Sequence, residues 1–181
     1  MSGHNKWSKI KHKKAATDAV KSKVFSKHAA LIAMESRKAG GDTSAPGLIA
    51  AIERAKKDSM PKDNIDRAVA KGGGAGGAAL EEVTFEAFGP GGTALIITAV
   101  TDNNNRTAPE IKHIFSKAGY ELGAPGSSLW AFTKTSERYV PNMPIELSDN
   151  DGEKLAELIE KLEEQDDVQE IYTTADTPEG D

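Results

Sequence analysis

Apolar side chains recur every three to four positions as far as Lys71 and every second position from Val83, and a glycine-rich run, Gly72-Gly73-Gly74-Ala75-Gly76-Gly77, separates the two regimes. A period near 3.6 buries one stripe of a helix, and a period of two buries one face of a strand. A chain that changes period at a glycine run is therefore expected to join two differently folded parts. The fold class that follows is α+β: a basic helical domain over residues 1–77, ending in a flexible linker over 72–77, and an acidic α/β domain over residues 78–181. The run also matches the letters of GxGxxG, but that motif needs a preceding strand and a following helix, and here it follows a helix.

Three helices are expected in the first part. Val20, Val24, Phe25, His28, Leu31 and Ile32 share a helical stripe that stops at Ala39-Gly40-Gly41, giving a helix over about Ala15–Lys38. A second follows Asp42-Thr43-Ser44 with Pro46 in its first turn. A third starts near Ser59 with Pro61 early and ends at Lys71-Gly72. Short loops between them make a three-helix bundle.

The second part reads as an antiparallel or mixed sheet with helices on one face, an α/β sandwich. Val83, Phe85 and Ala87 alternate with polar residues, Gly89-Pro90-Gly91-Gly92 turns the chain, and Thr93–Thr101 is a near-continuous apolar strand. Further strands are expected at Ser127–Thr133, at Tyr139–Leu147 broken by Pro141 and Pro144, and at Val168–Thr173. Thr107 and Glu110 predict a capping box for a helix over Ala108–Ala118. Ser148 predicts the cap of a helix over Asp149–Glu164 that buries Leu155, Leu158, Ile159 and Leu162.

Charge divides at the same place as the period. Residues 1–71 carry 16 Lys+Arg and 7 Asp+Glu, net +9, whereas residues 72–181 carry 7 and 21, net −14; the total of −5 conceals both. The basic end points to a polyanion. Around Trp7 lie Lys6, Lys9, Lys11, His12, Lys13 and Lys14, continued by Lys21, Lys23 and Lys27. Lysines in such density neutralise phosphates and release counterions, and a tryptophan among them can stack on a base. The alternatives are a solvated tail with Trp7 anchored in the bundle, or an anionic membrane surface, which a single large apolar residue in the run serves poorly. Asn103, Asn105 and Arg106, in the loop after the apolar strand, form a possible secondary site for a phosphate, a peptide or a base edge. Asn and Asp also build turns without any ligand.

Other chemistry finds little support. There is no Cys, hence no thiolate nucleophile, disulfide or iron–sulfur ligand, and His4, His12, His28 and His113 form no metal-binding spacing. No catalytic residue, metal or cofactor is expected. No apolar stretch approaches the ~20 residues of a membrane span, and no secretory signal is expected.

The segments GHNKWSKIKHKKAATDAVKSKVFSK, MPKDNIDRAVAKG, FGPGGTALIITAVTDNNNRTAPEIKHIFSKAGYELGAPGSSLWAF and LEEQDDVQEIYTTAD resemble the YebC family, which includes the mitochondrial translational activator of cytochrome c oxidase. The resemblance covers most of residues 3–175. It implies a helical N-terminal domain, an α/β remainder, no enzymatic activity and a role in gene expression. It also implies nucleic-acid contact at Lys6, Trp7, Lys9, Lys11, His12, Lys13 and Lys14. Bacterial members are called transcriptional regulators that bind DNA; others resemble translation factors acting on ribosomes stalled at proline-rich sequences. The match begins at residue 3, leaving no room for a transit peptide, so a bacterial cytoplasmic location is expected. One departure stands out: family members usually insert a further α/β domain after the strand at Leu129–Phe132, whereas this chain passes from Lys134 to Pro144 in a few residues.

Together these readings give a non-enzymatic RNA- or ribosome-binding translation factor, with rRNA or tRNA as the favoured target. A DNA-binding transcriptional regulator is the alternative, and a protein-interaction module using its basic face is a second. Lysines that hold phosphate without reading bases tilt the balance toward RNA.

Overall fold

The computed structural model describes residues 18–74 and 79–176. Contacts divide the chain into two compact units, one helical and one α/β.

The helical unit contains α1 (Asp18–Lys38), α2 (Pro46–Lys57) and α3 (Lys62–Gly73). Ile32, Leu48, Ala51, Ala55, Met60, Ile65 and Ala68 form its core, with Phe25, Leu31, Ile52 and Val69 packed against it. Small residues on α2 and α3 let the helices approach closely. The entry to α2 is set by Asp42, whose carboxylate accepts from the Ser44 hydroxyl at 2.6 Å and its backbone N–H at 2.9 Å. His28 Nε2 meets Asp58 Oδ2 at 2.5 Å and ties α1 to the end of α2.

Two sequence expectations change here. Ser59 does not start α3; it closes α2. Its φ of 63° lies in the left-handed region, and the N–H of Met60 reaches back to the Ala55 carbonyl at 2.9 Å, a helix-terminating arrangement that glycine usually occupies. Nor does the glycine run act as linker from residue 72, because Gly72 and Gly73 are the last turn of α3. Gly72 is buried against α1: a Cβ there would sit within the van der Waals envelope of the Ala33 carbonyl oxygen and 2.8 Å from Ser36 Cβ. Next to this contact the Ser36 hydroxyl donates to the Val69 carbonyl at 2.8 Å.

The α/β unit is built on a four-stranded sheet of β1 (Glu81–Phe88), β2 (Ala94–Thr101), β3 (Leu122–Gly123) and β6 (Val168–Thr173), in the order β3-β1-β2-β6. Strands β1 and β3 pair antiparallel, as do β2 and β6, with Ile96 opposite Tyr172 and Ile97 opposite Ile171. The turn between β1 and β2 passes through Gly91 and Gly92 at φ 67° and 76°, values that favour glycine. Helices α4 (Asn104–Lys117) and α5 (Asp149–Glu164) cover one face, where Leu95 and Ile97 meet Ile111, Phe115, Leu155, Leu158 and Leu162. The Ser148 hydroxyl accepts from the Asp151 N–H at 3.2 Å, the expected cap of α5.

The opposite face is covered as well, which the sequence pattern did not anticipate. Strands β4 (Phe132–Lys134) and β5 (Tyr139–Pro141) form an antiparallel ribbon. Ala131 and Phe132 pack on Ala94 and Ile96, and Tyr139 meets both Phe132 and Tyr172 edge to face, at centroid distances of 6.5 and 5.2 Å. Burial of β2 on both sides explains why Ala94–Thr101 reads as an unbroken apolar run. Three other expectations shift. Ser127–Thr133 is a loop and a 3-10 turn (Leu129–Ala131) leading into β4, and Tyr139–Leu147 supplies the three residues of β5 and a single parallel bridge from Ile145 to Ala175. Helix α4 begins at Asn104, a turn before the expected capping box. Thr107 is consequently inside the helix and fully buried, and Glu110 bonds to the Gln165 amide at 2.7 Å instead of capping.

Candidate nucleic-acid interface

Lys21 and Lys23 lie in the first two turns of α1. Two residues rotate a helix by about 200°, so these lysines do not share a face. Lys23 instead stands one turn from Lys27, and both are half-buried, while Lys21 is exposed. Lys6, Trp7, Lys9, Lys11, His12, Lys13 and Lys14, the remainder of the expected site, fall outside the described residues.

Elsewhere on the bundle, acidic neighbours offset part of the basic charge. Lys38 pairs with Glu35 at 3.2 Å, Lys56 with Glu53 at 3.1 Å and Lys62 with Asp66 at 2.6 Å, each one turn apart on a single helix. Such exposed pairs add little stability but cancel charge locally. In the sequence, residues 1–34 contain eight lysines and one carboxylate, Asp18.

The expected secondary site is organised differently. Asn103 precedes α4, and Asn105 and Arg106 occupy its first turn, all three exposed. The Asn103 N–H donates to Thr101 Oγ1 at 2.9 Å. The Arg106 guanidinium donates to both Asp167 carboxylate oxygens at 3.0 and 3.3 Å, and Asp167 also accepts from the Thr107 hydroxyl at 2.8 Å and the Gln165 amide at 3.1 Å. Burial raises the Asp167 pKa, but these bonds and the charge of Arg106 outweigh it and hold the carboxyl below the usual range. The arrangement locks the start of α4 to the start of β6.

A second acidic anchor escaped sequence reasoning. Glu86 occupies an alternating position of β1 that reads as solvent-facing, yet it is buried. Its carboxylate accepts backbone N–H bonds from Gly126 at 2.6 Å, Ser128 at 3.1 Å and Leu129 at 2.6 Å, clamping the loop that leads into the ribbon. Burial pushes its pKa up, and the three amides with the Ser128 hydroxyl bring it below the ordinary value. No local pattern marks such a residue, since its donors come from about forty positions away.

Among the described residues no group of three or more His, Asp or Glu side chains is placed to hold a metal ion, and no helix is long and apolar enough to cross a membrane.

Residues 5–75 match the TACO1/YebC protein N-terminal domain, and residues 80–137 and 133–175 match the TACO1/YebC second and third domain. The chain belongs to the TACO1/YebC family. Similar proteins include a "Probable transcriptional regulatory protein" of Syntrophus aciditrophicus, 36% identical over 242 residues and covering 99% of this chain and 97% of that protein. Another of the same name, from Desulfatibacillum aliphaticivorans, is 43% identical over 188 residues, covering 97% of this chain and 76% of its own. The crystal structure of a conserved hypothetical protein, Aq1575 from Aquifex aeolicus, superposes with a TM-score of 0.81 at 30% identity, covering 96% of this chain and 98% of that one.

The alignment with the Syntrophus protein spans 242 positions against the 181 residues here, so that relative carries about 60 residues without a counterpart. The two stretches that match the second and third domain meet at residues 133–137. In this TACO1/YebC protein that point is the turn of the ribbon, where Thr135 N–H donates to the Arg138 carbonyl at 2.8 Å. A four-residue turn thus closes the fold where the family model is interrupted.

Proposed function

We propose that this TACO1/YebC protein is a non-enzymatic, nucleic-acid-binding regulator of gene expression whose basic N-terminal part grips the phosphate backbone. The observation that carries the proposal is the run of eight lysines against one carboxylate over residues 1–34. Lys6, Lys9, Lys11, Lys13 and Lys14 supply most of that charge, with Trp7 as a stacking group; on α1, Lys23 and Lys27 add to it from one face and Lys21 from another. The favoured target is RNA, rRNA or tRNA on a ribosome stalled at a proline-rich sequence. Support comes from the resemblance to family translation factors and from a contact set of lysines, which hold phosphate without reading sequence. The second reading is a DNA-binding transcriptional regulator, favoured by the name that the Syntrophus and Desulfatibacillum relatives carry.

The test is binding as a function of salt. With about six phosphates contacted, log K against log[salt] slopes near −4 to −5, and a flat response rules out both readings. Changing Lys11, Lys13 and Lys14 together to Glu is expected to abolish binding at an unchanged thermal transition. Co-sedimentation with ribosomes, compared with duplex DNA binding at the same salt, separates the two: binding to DNA alone selects the second.

A further inference from the structure

Five large apolar side chains are exposed among the described residues, and four of them gather around one loop of the α/β unit: Phe88 at 40%, Leu129 at 41%, Trp130 at 71% and Met143 at 78%. Leu129 bonds through its N–H to Glu86, two positions from Phe88 on the same face of β1. Asn142, beside Met143, donates its side-chain amide to the Trp130 carbonyl at 3.1 Å and its backbone N–H to the Ala131 carbonyl at 2.9 Å. The Trp130 indole N–H is satisfied internally by the Ser127 carbonyl at 2.8 Å, leaving the ring bare. A tryptophan with its polar tip already bonded, on a loop clamped by a buried carboxylate, loses little freedom on binding, as interface anchors do.

We propose that this patch docks a protein partner presenting apolar side chains within a basic surface. Charge selects that occupant. Residues 79–176 carry 7 basic and 19 acidic side chains, net −12, a charge that repels a polyanion and attracts a basic protein. The ribbon's own cations, Lys134 and Arg138, lie toward its turn, Lys134 with its ammonium 5.5 Å from the Tyr139 ring centroid. The proposal does not depend on nucleic-acid binding by the helical unit.

The test titrates the full chain with a short fluorescein-labelled peptide of alternating lysine and leucine. Saturable binding is expected, weakened at least about ten-fold by Trp130→Ser and separately by Met143→Ser, with a glutamate–leucine peptide failing to bind. Met143 makes none of the bonds that hold the loop, so its variant reports on the surface even if Trp130→Ser perturbs the fold. Affinity unchanged in both variants would show attraction by acidic charge alone and overturn the proposal. So would failure of the peptide to bind, competition at Trp130 by an oligouridine, or a concentration-dependent dimer that Trp130→Ser abolishes.

Discussion

The backbone N–H of Leu129 donates to the Glu86 carboxylate at 2.6 Å across 43 positions of sequence, and with Gly126 and Ser128 it makes Glu86 the fastening point between β1 and the loop before the ribbon. Removing the acceptor strands three amides. Glu86→Ala is expected to lower stability by about 3 kcal/mol, read as a drop in the denaturant midpoint at constant m-value, with Glu86→Gln intermediate. An unchanged midpoint in the alanine variant would show that the loop holds without Glu86.

Acid should loosen the same unit in two places. Glu86 and Asp167 both have folded pKa values below their ordinary 4.5 and 3.8. Their contribution is therefore complete above those ordinary values and is lost as pH falls through the lower folded ones. Thermal midpoints measured from pH 6 downward should decline below about pH 4.5, and less steeply in a Glu86→Gln, Asp167→Asn double variant. Identical profiles in the two proteins would contradict the assignment.

Gly72 presses α3 onto the Ala33 carbonyl of α1. A methyl group there forces the helices apart, so Gly72→Ala should destabilise the helical unit by about 1–3 kcal/mol despite the better helix propensity of alanine. Gly73→Ala, whose added carbon would be 3.8 Å from Ser36 Oγ, provides the control and should be neutral or stabilising. Equal effects from the two substitutions would refute the close-approach argument.

Ser59 holds a left-handed conformation that glycine adopts without steric cost. Ser59→Gly should stabilise the protein by up to about 1 kcal/mol, the relief of strain exceeding the added unfolded-state entropy. Calorimetry on the full chain checks the sign.

Locally coded elements were legible in the residues. Helix α5 and strand β6 occupy Asp149–Glu164 and Val168–Thr173 as the apolar spacing and Ser148 predict, because a cap and a periodic stripe act within a few residues. The bundle and the helix-covered sheet follow from the change of period, and family membership from the ordered motifs. For the proposed site, the sequence supplied a concentration of charge, the eight lysines of residues 1–34, without their arrangement in space; Lys23 sharing a face with Lys27 rather than Lys21 follows only from helix rotation.

What the tertiary structure decided involves partners distant in sequence. Gly72 belongs to α3 because of Ala33, and Thr107 lies inside α4 with its hydroxyl on Asp167, 60 positions away. Glu86 is buried because Gly126, Ser128 and Leu129 return to it, and β2 is covered twice because the ribbon folds over Ile96. Periodicity reports which side of an element avoids water. It does not report which distant backbone group will satisfy a carboxylate, since that choice is made only when the chain closes on itself.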